Sequence, residues 1–243
     1  MLLEGRNAVL EALKGDVTVE TLYVQKGNFE RSTNEAIALA RKQGVKVMIL
    51  DEQAFKAKSE TGRARGIMAI TTDFTYAVFE DVVQKALSGD KPAVFVLLDG
   101  VEDPHNLGAI IRVADCSGAS AVIIPKHRSA SVTEIVIRTS AGATAHVPVA
   151  KVTNINDAIR YLKQQGVKII AADMNGENAF TSDMTGNIAL VIGGEGEGLH
   201  ELPRKLSDLV VSLPQLGKIN SLNASVATGI LLYEAVRQRN NKI

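Results

Sequence analysis

The chain has 243 residues, 46% of them hydrophobic and 22% charged, which is typical of a soluble globular protein with one large domain or two smaller ones. Lysine plus arginine and aspartate plus glutamate each number 27, so a nucleic-acid partner would need a local basic patch. The single cysteine, Cys116, excludes an intrachain disulfide, and charges near the N-terminus exclude the apolar core of a signal peptide. Because no window approaches the ~18 uncharged apolar residues of a membrane span, we expect a cytoplasmic protein.

Residues 1–72 predict a small α/β domain built from short alternating elements. The order read from the sequence is α-β-α-β-α-β, carried by NAVLEALK, TLYV, STNEAIALARKQG, VKVMIL, DEQAFKAK and GIMAITT. Residues 73–92 follow as a charged amphipathic linker that ends in the breaker cluster SGDKP.

Residues 93–243 predict a second, larger α/β domain. Its strands AVFVLL, AVIIP, VKIIAA and NIALVIGG are nearly continuous apolar runs. Such runs are typical of strands buried on both faces of a mostly parallel sheet, with helices above and below. Ligands of such sheets bind beyond the carboxyl ends of the strands, so the loops that follow the strands are the candidate sites.

The first such loop, DGVEDPHNLGAIIR, contains Asn106, Gly108 and Arg112. Asn106 is a candidate helix cap, and Gly108 permits close backbone approach. Arg112 stands in a largely apolar helix, so we expect it to reach over the strand ends, where an arginine binds phosphate or a developing oxyanion. His105 is a candidate base, although an exposed loop histidine is the alternative.

The second loop, IGGEGEGL, resembles a phosphate-binding turn in its glycines only. Glu195 and Glu197 would repel a polyphosphate, so the loop favours a cationic or zwitterionic ligand; a plain structural turn is the alternative. In the third segment, SLPQLGKINSLNASVATGILLYEAVRQ, Ser221 and Asn223 are either helix caps or site residues. The small residues that follow Asn223 fit close packing against a partner subunit or against the domain's own sheet.

Two basic clusters are candidate phosphate-binding patches, with solvated faces as the alternative. Their members are Lys126, His127, Arg128 and Arg138 in one, and Lys56, Lys58, Arg63 and Arg65 in the other. No cluster of His, Cys, Asp and Glu has metal-ligand spacing.

Taken together, NLGAIIR, GGEGEG and LPQLGKINSLNASVA, in this order, resemble the three motifs of the TrmH/SpoU family of RNA ribose 2′-O-methyltransferases. LEGRNAVLEAL resembles the start of that family's small RNA-binding domain, and the resemblance covers essentially the whole chain. It implies a SPOUT-type α/β catalytic domain with a C-terminal trefoil knot, plus a small N-terminal α/β domain that binds RNA. It also implies S-adenosylmethionine as cofactor and a homodimer that completes the site across its interface.

The resemblance also implies residue roles. Arg112 would be catalytic, helped by the positioning residues Asn106, Glu195, Ser221 and Asn223. S-adenosylmethionine would contact Gly193, Leu213 and Leu222, with Gly198 and Gly217 shaping the loops. The candidates for RNA binding come from the two basic clusters and not from the resemblance; they are Lys126, Arg128, Arg138, Arg63 and Arg65. A free guanidinium, with a pKa of roughly 12.5 or higher, is a poor base, so we expect electrostatic stabilisation, with water or a substrate phosphate taking the proton.

The resemblance implies a guanosine ribose in large-subunit ribosomal RNA as the substrate, with no DNA or membrane partner. The small N-terminal domain favours ribosomal RNA, because the transfer RNA enzymes of the family often lack that domain. Two alternatives remain open at this point. One is a transfer RNA ribose 2′-O-methyltransferase, and the other is a non-catalytic RNA-binding protein of ribosome assembly.

Overall fold

The computed structural model describes residues 1–14, 19–71, 74–196, 198–218 and 221–240. Glu197, discussed above, lies outside the described residues. The strands are β1 (Leu2–Glu4), β2 (Val19–Gln25), β3 (Lys46–Leu50), β4 (Ile67–Thr71), β5 (Val94–Asp99), β6 (Ala121–Pro125), β7 (Val149–Val152), β8 (Lys168–Asn178), β9 (Ile188–Gly193) and β10 (Leu209–Ser212). The helices are α1 (Arg6–Lys14), α2 (Arg31–Lys42), α3 (Glu52–Lys58), α4 (Phe79–Leu87), α5 (Pro104–Ser117), α6 (Glu134–Thr139), α7 (Ile155–Gln164), α8 (Glu201–Leu206) and α9 (Ala224–Arg239), with a 3₁₀ turn at Ala143–Ala145.

The chain packs into two compact units. The first comprises Met1–Thr75 and Ser131–His146, and the second comprises Tyr76–Ala130 and Val147–Ile243. The division predicted from the sequence, 1–72, 73–92 and 93–243, stays a proposal, and the packing differs from it in two places. Helix α4, inside the predicted linker, buries Phe79 and Val83 in the core of the second unit. The segment 131–146 packs with the first unit because α6 contacts β1 and α1.

The first unit is built on a four-stranded sheet in the order β1-β4-β2-β3. Strand β4 is antiparallel to both β1 and β2, whereas β2 and β3 are parallel. Tyr23, Phe55 and Met68 form a buried cluster on this sheet. Strand β1 was not predicted, because three residues are too short to show an alternating pattern.

The second unit contains the predicted parallel sheet, and the α/β fold class is confirmed. Six strands pair in the order β10-β8-β9-β5-β6-β7, and all five pairings are parallel. Every residue of β5 is buried, as expected of a strand covered on both faces. The four-residue strand β7 was not predicted, since it is too short to read as a separate apolar run.

The strand order places a crevice at β5. The chain runs from β5 outward through β6 and β7, then returns to form β8 and β9 on the other side of β5. Such a reversal of direction opens a ligand crevice at the carboxyl ends of the two strands that meet there. Asp99 ends β5 and pairs in register with Gly193, which ends β9. The two loops that follow these residues therefore frame the candidate site.

Helices α5 and α9 pack against each other. A Cβ added at Gly229 of α9 would lie 3.4 Å from a methyl of Val113 in α5, so the small residue permits the close approach. Among the described residues, no helix is both long and apolar enough to cross a membrane. The trefoil knot remains a prediction of the family resemblance.

Candidate active site

The site begins with a loop that is fixed to the end of β5. The backbone amide of Gly194 donates to the carbonyl of Asp99 at 2.9 Å. At the far end of the loop, the backbone amide of His200 donates to Asp99 Oδ2 at 3.0 Å. One residue at the carboxyl end of β5 therefore holds both ends of the glycine-rich loop.

Close backbone packing explains two of the loop's glycines. A Cβ at Gly193 would overlap the backbone of Gly198 and Leu199, and a Cβ at Gly194 would overlap the carbonyl of Gly100. The glycines therefore allow the loop to fold back on itself and to pack against the loop that follows β5. Glu195 follows directly after these two glycines.

The carboxylate of Glu195 joins the starts of α5 and α9. Its Oε1 accepts a hydrogen bond from Asn106 Nδ2 at 2.7 Å and another from Asn223 Nδ2 at 2.8 Å. Asn106 is 5% exposed. The three residues, one from each of the three segments singled out in the sequence, thus form one hydrogen-bonded cluster, here called the Glu195 cluster.

The structure assigns the helix caps differently from the sequence analysis. Helix α5 is capped by Asp103, whose Oδ1 accepts a hydrogen bond from the amide of His105 at 2.9 Å, and Asn106 lies in the first turn of the helix. Asn223 does cap α9, because its Oδ1 accepts from the amides of Ser225 and Val226 at 2.9 and 3.3 Å. Its Oδ1 accepts the hydrogen bonds of the cap, while its Nδ2 donates to Glu195. Asn223 is therefore both a helix cap and a member of the site.

Two cavities meet at the Glu195 cluster. The larger cavity, of about 680 Å³, is lined by residues that include Asp173, Gly193, Leu213, Ser221, Leu222 and Asn223. The smaller cavity, of about 580 Å³, is lined by residues that include Asp99, Glu102, Asp103, Asn106, Arg128 and His200. Gly194, Glu195 and Gly198 line both cavities, so the two spaces share a wall.

Two of the predicted site residues lie elsewhere. Arg112 is exposed and lines neither cavity. Six residues advance a helix by about 240°, so the side chain of Arg112 leaves α5 in a different direction from that of Asn106. Gly217 also lines neither cavity, and among the described residues no atom lies within 4 Å of a Cβ placed there.

The predicted RNA-binding residues are divided between the two units. Lys126 and Arg128 belong to the second unit, where Arg128 lines the smaller cavity with a positive φ of 53°. Arg138 belongs to the first unit and lies 3.8 Å from Glu134 on the same helix. Arg63 and Arg65, also in the first unit, are exposed.

Sequence reasoning missed the pair formed by Asp99 and His200. His200 Nδ1 lies 2.8 Å from Asp99 Oδ2, and the imidazole lines the smaller cavity. An aspartate at the end of a buried strand was the only available signal, because 101 positions separate the two residues along the chain.

The comparisons with known proteins cover both parts of the chain. The SpoU rRNA methylase family model matches residues 93–233, and a model for RNA 2′-O ribose methyltransferase substrate binding matches residues 2–77. The 23S rRNA (guanosine-2′-O-)-methyltransferase RlmB of Ralstonia nicotianae is 39% identical over 98% of this chain and 96% of its own length. YacO of Bacillus subtilis, provisionally named a TrmH family tRNA/rRNA methyltransferase, is 38% identical over 97% of this chain and 95% of its own length.

Solved structures agree with these relatives. The crystal structure of an AdoMet-bound rRNA methyltransferase from Sinorhizobium meliloti matches with a TM-score of 0.81 and 27% sequence identity. The match covers 98% of this chain and 87% of that chain.

Proposed function

Since the chain belongs to the SpoU rRNA methylase family and is an S-adenosylmethionine-dependent RNA 2′-O-methyltransferase, we propose that its substrate is a guanosine ribose in large-subunit ribosomal RNA. The observation that carries this proposal is the Glu195 cluster at the wall between two cavities, one for a cofactor and one for a nucleoside. The RlmB relative supports the choice of ribosomal guanosine, because this chain aligns with it over nearly its whole length.

The larger cavity fits S-adenosylmethionine. Leu213, Leu222 and Leu231 offer apolar surface for an adenine ring, and the glycines expose backbone groups. Asp173 and Glu195 place carboxylates in this cavity. Their negative charge is compatible with a zwitterionic ligand that carries a cationic sulfur, whereas it would repel a polyphosphate. When bound, S-adenosylmethionine supplies a methyl group on a positively charged sulfur.

The Glu195 cluster would position the ribose against that methyl group. Methyl transfer needs the attacking oxygen within about 3 Å of the methyl carbon and in line with the bond that breaks. Asn106 and Glu195 line the smaller cavity, while Asn223 and Glu195 line the larger one. Because hydrogen bonds through Glu195 connect the two asparagines, a shift of either cavity wall would disturb the alignment.

In a homodimer, the exposed Arg112 of one protomer could reach the site of the other protomer. Val226 and Tyr233, seven residues apart on α9 and therefore on one face, are each 49% exposed. An apolar face of this kind on the helix beside Arg112 supports a second copy of the chain as its partner. Arg112 of one protomer would then stabilise the ribose oxygen in the site of the other.

Transfer of labelled methyl groups to large-subunit ribosomal RNA that lacks its modifications tests the proposed substrate. We expect label with the wild type, a strong loss with Asn106→Ala, and a labelled 2′-O-methylguanosine after digestion of the RNA. Label in transfer RNA alone would replace the proposed substrate. No label in either RNA, from a protein that binds S-adenosylmethionine, would favour a non-catalytic assembly protein.

Mixing two inactive variants tests the role of Arg112. If Arg112 acts across the interface, a mixed dimer of Arg112→Ala and Asn106→Ala contains one site with both residues intact. We therefore expect activity to return after the two variants are mixed and allowed to exchange subunits. Failure to recover activity from proven mixed dimers would assign Arg112 to the site of its own chain or to another task.

A further inference from the structure

Among the predicted site residues, only the carboxylate of Glu195 could accept the proton of the ribose 2′-hydroxyl, and its Oε1 already accepts two hydrogen bonds. Side-chain amides are poor proton acceptors, and a guanidinium stays protonated. We propose that His200 accepts this proton at Nε2 and that Asp99 holds the imidazole in the required orientation. The inference rests on the 2′-O-methylation proposed above, and it makes His200 a catalytic residue and Asp99 a positioning residue.

The contact with Asp99 determines which ring nitrogen carries the hydrogen. Asp99 Oδ2 lies 2.8 Å from His200 Nδ1 and also accepts the backbone amide of His200 at 3.0 Å. A carboxylate accepts hydrogen bonds, so Nδ1 carries the hydrogen and the neutral ring keeps its lone pair on Nε2. This is the tautomer in which a histidine acts as a general base toward a hydroxyl group.

Asp99 and His200 differ in burial, so the carboxylate is held rigidly while the imidazole can reach a substrate. The side chain of Asp99 is 10% exposed and that of His200 is 45% exposed. The carboxylate is therefore held inside the protein by two hydrogen bonds, while the imidazole reaches the smaller cavity. A base fixed in this way loses little freedom when the substrate binds.

The smaller cavity brings His200 close to the other groups that the reaction needs. It is also lined by Asn106 and Glu195, and it shares a wall with the larger cavity. A ribose in the smaller cavity would therefore have the imidazole on its own side and would meet the methyl donor beside Glu195, which lines both cavities.

Acidic groups predominate around His200. Among the described residues, the charged side chains that line the smaller cavity are Asp99, Glu102, Asp103, Glu195 and Arg128. Arg128 supplies a partner for an RNA phosphate.

The atoms and charges of the step balance. The O–H bond of the ribose breaks and its proton passes to Nε2, while the oxygen forms a bond to the methyl carbon. The bond between methyl and sulfur breaks, and its electron pair stays on sulfur, so the product S-adenosylhomocysteine is a neutral thioether. The positive charge moves to the imidazole of His200, beside Asp99, and the proton then passes to water.

Nitrogen-15 NMR of the protein without cofactor tests the tautomer independently of activity. The chain has four histidines, and the signals lost in His200→Gln assign those of His200. At about pH 8, where an ordinary imidazole is neutral, we expect hydrogen on Nδ1 in the wild type and a mixture of tautomers in Asp99→Asn. Hydrogen on Nε2 in the wild type would overturn the proposal.

Single-turnover methyl transfer as a function of pH tests the catalytic role. In His200→Gln the amide can still donate to Asp99 but cannot take a proton. We expect this variant to react about 10²-fold or more slowly at neutral pH, with unchanged affinity for S-adenosylmethionine. We also expect the rate of this variant to depend on pH differently from that of the wild type, because the variant lacks the imidazole. The matched control is His146→Gln, at a histidine of the first unit that lines neither cavity, and it should keep the wild-type profile.

The outcomes separate this inference from the proposed function. A His200→Gln variant that keeps the wild-type pH dependence overturns the role of His200 but leaves methyl transfer standing. Hydrogen on Nε2 of His200 in the wild type overturns the role without any variant, so the inference remains testable if His200→Gln loses the loop structure. If the wild type methylates no RNA, the proposed function fails, and the base assignment fails with it.

Discussion

Asn106 and Asn223 donate their side-chain amides to the same oxygen of Glu195, at 2.7 and 2.8 Å. One residue lies in the first turn of α5 and the other caps α9, so the carboxylate stands at the N-terminal ends of two helices. The N-terminal end of a helix carries a partial positive charge, which attracts a carboxylate. Glu195 therefore joins the two helices electrostatically as well as through hydrogen bonds.

Replacement of Glu195 should cost more activity than the loss of either asparagine. Glu195→Ala leaves both amides without their acceptor, and we expect kcat/KM for methyl transfer to fall on the order of 10²-fold. Glu195→Gln should lose less, because its carbonyl oxygen can still accept both hydrogen bonds. Methyl-transfer kinetics with ribosomal RNA measure the difference.

The two asparagines should also act as a unit. Because they share one acceptor, the double variant Asn106→Ala with Asn223→Ala should lose less than the two single losses combined, with a coupling of about 0.5–3 kcal/mol. Fully additive losses would show that the two hydrogen bonds act independently.

The sheet of the second unit could be predicted because its strands are long apolar runs. The six residues of β5 and the six of β9 are buried almost throughout, and burial on both faces leaves a clear pattern in the sequence. Ligands of such sheets bind at the carboxyl ends of the strands, so the loops that follow β5 and β9, which contain Asn106 and Glu195, were the candidate sites. The location of the site therefore followed from local patterns.

Contacts between distant residues could not be predicted in the same way. The hydrogen bond from Asn106 to Glu195 spans 89 positions and the contact between Asp99 and His200 spans 101, and no periodicity encodes either. The association of α6 with the first unit depends on packing against β1 and α1, which only the folded chain shows. Arg112, which was expected over the strand ends, is exposed and lines neither cavity, and its role stays a prediction.

Substitutions at Asn223 should separate its two roles. Asn223→Ala loses the cap, and we expect about 1 kcal/mol lower stability together with reduced methyl transfer. Asn223→Asp keeps an oxygen for the cap but places a second carboxylate beside Glu195. We therefore expect near wild-type thermal stability of this variant and a loss of activity like that of Asn223→Ala.

A second capping asparagine provides the control. Asn154 caps α7 through a hydrogen bond from the amide of Asn156 at 2.9 Å and lines neither cavity. Asn154→Ala should lower the unfolding temperature without changing kcat/KM. An Asn223→Asp variant with full activity would show that the amide donor to Glu195 is dispensable.

The glycines assigned to the cofactor loops should differ in their tolerance of a methyl group. Gly193→Ala forces apart the backbone of Gly198 and Leu199, so we expect affinity for S-adenosylmethionine to fall at least tenfold, or roughly 1.4 kcal/mol. Gly217→Ala has open space within the described part of the chain and should bind the cofactor as the wild type does. Isothermal titration with S-adenosylmethionine measures both. Equal losses would mean that Gly217 shapes the loop as the family resemblance implies.

Glu134 should make the stability of the protein depend on pH. Burial, followed by the nearby negative charge of Glu4, raises the pKa of Glu134 above its ordinary value of 4.5. An acid whose pKa is raised by folding contributes stability below its ordinary pKa, and this contribution is lost as the pH rises through the folded-state value. At neutral pH the ionised carboxylate therefore lowers the stability of the folded protein.

The variant Glu134→Gln should consequently unfold at a higher temperature than the wild type at pH 7. The gain should shrink as the pH falls toward 4.5, where the wild-type carboxyl is itself protonated in the folded state. The control is Glu20→Gln, at an exposed glutamate of β2 in the same unit, which should change the unfolding temperature little at any pH. Thermal unfolding followed by circular dichroism across this range measures both variants. A lower unfolding temperature for Glu134→Gln at pH 7 would mean that attraction between Glu134 and Arg138, whose charged groups lie 3.8 Å apart, outweighs the cost of burial.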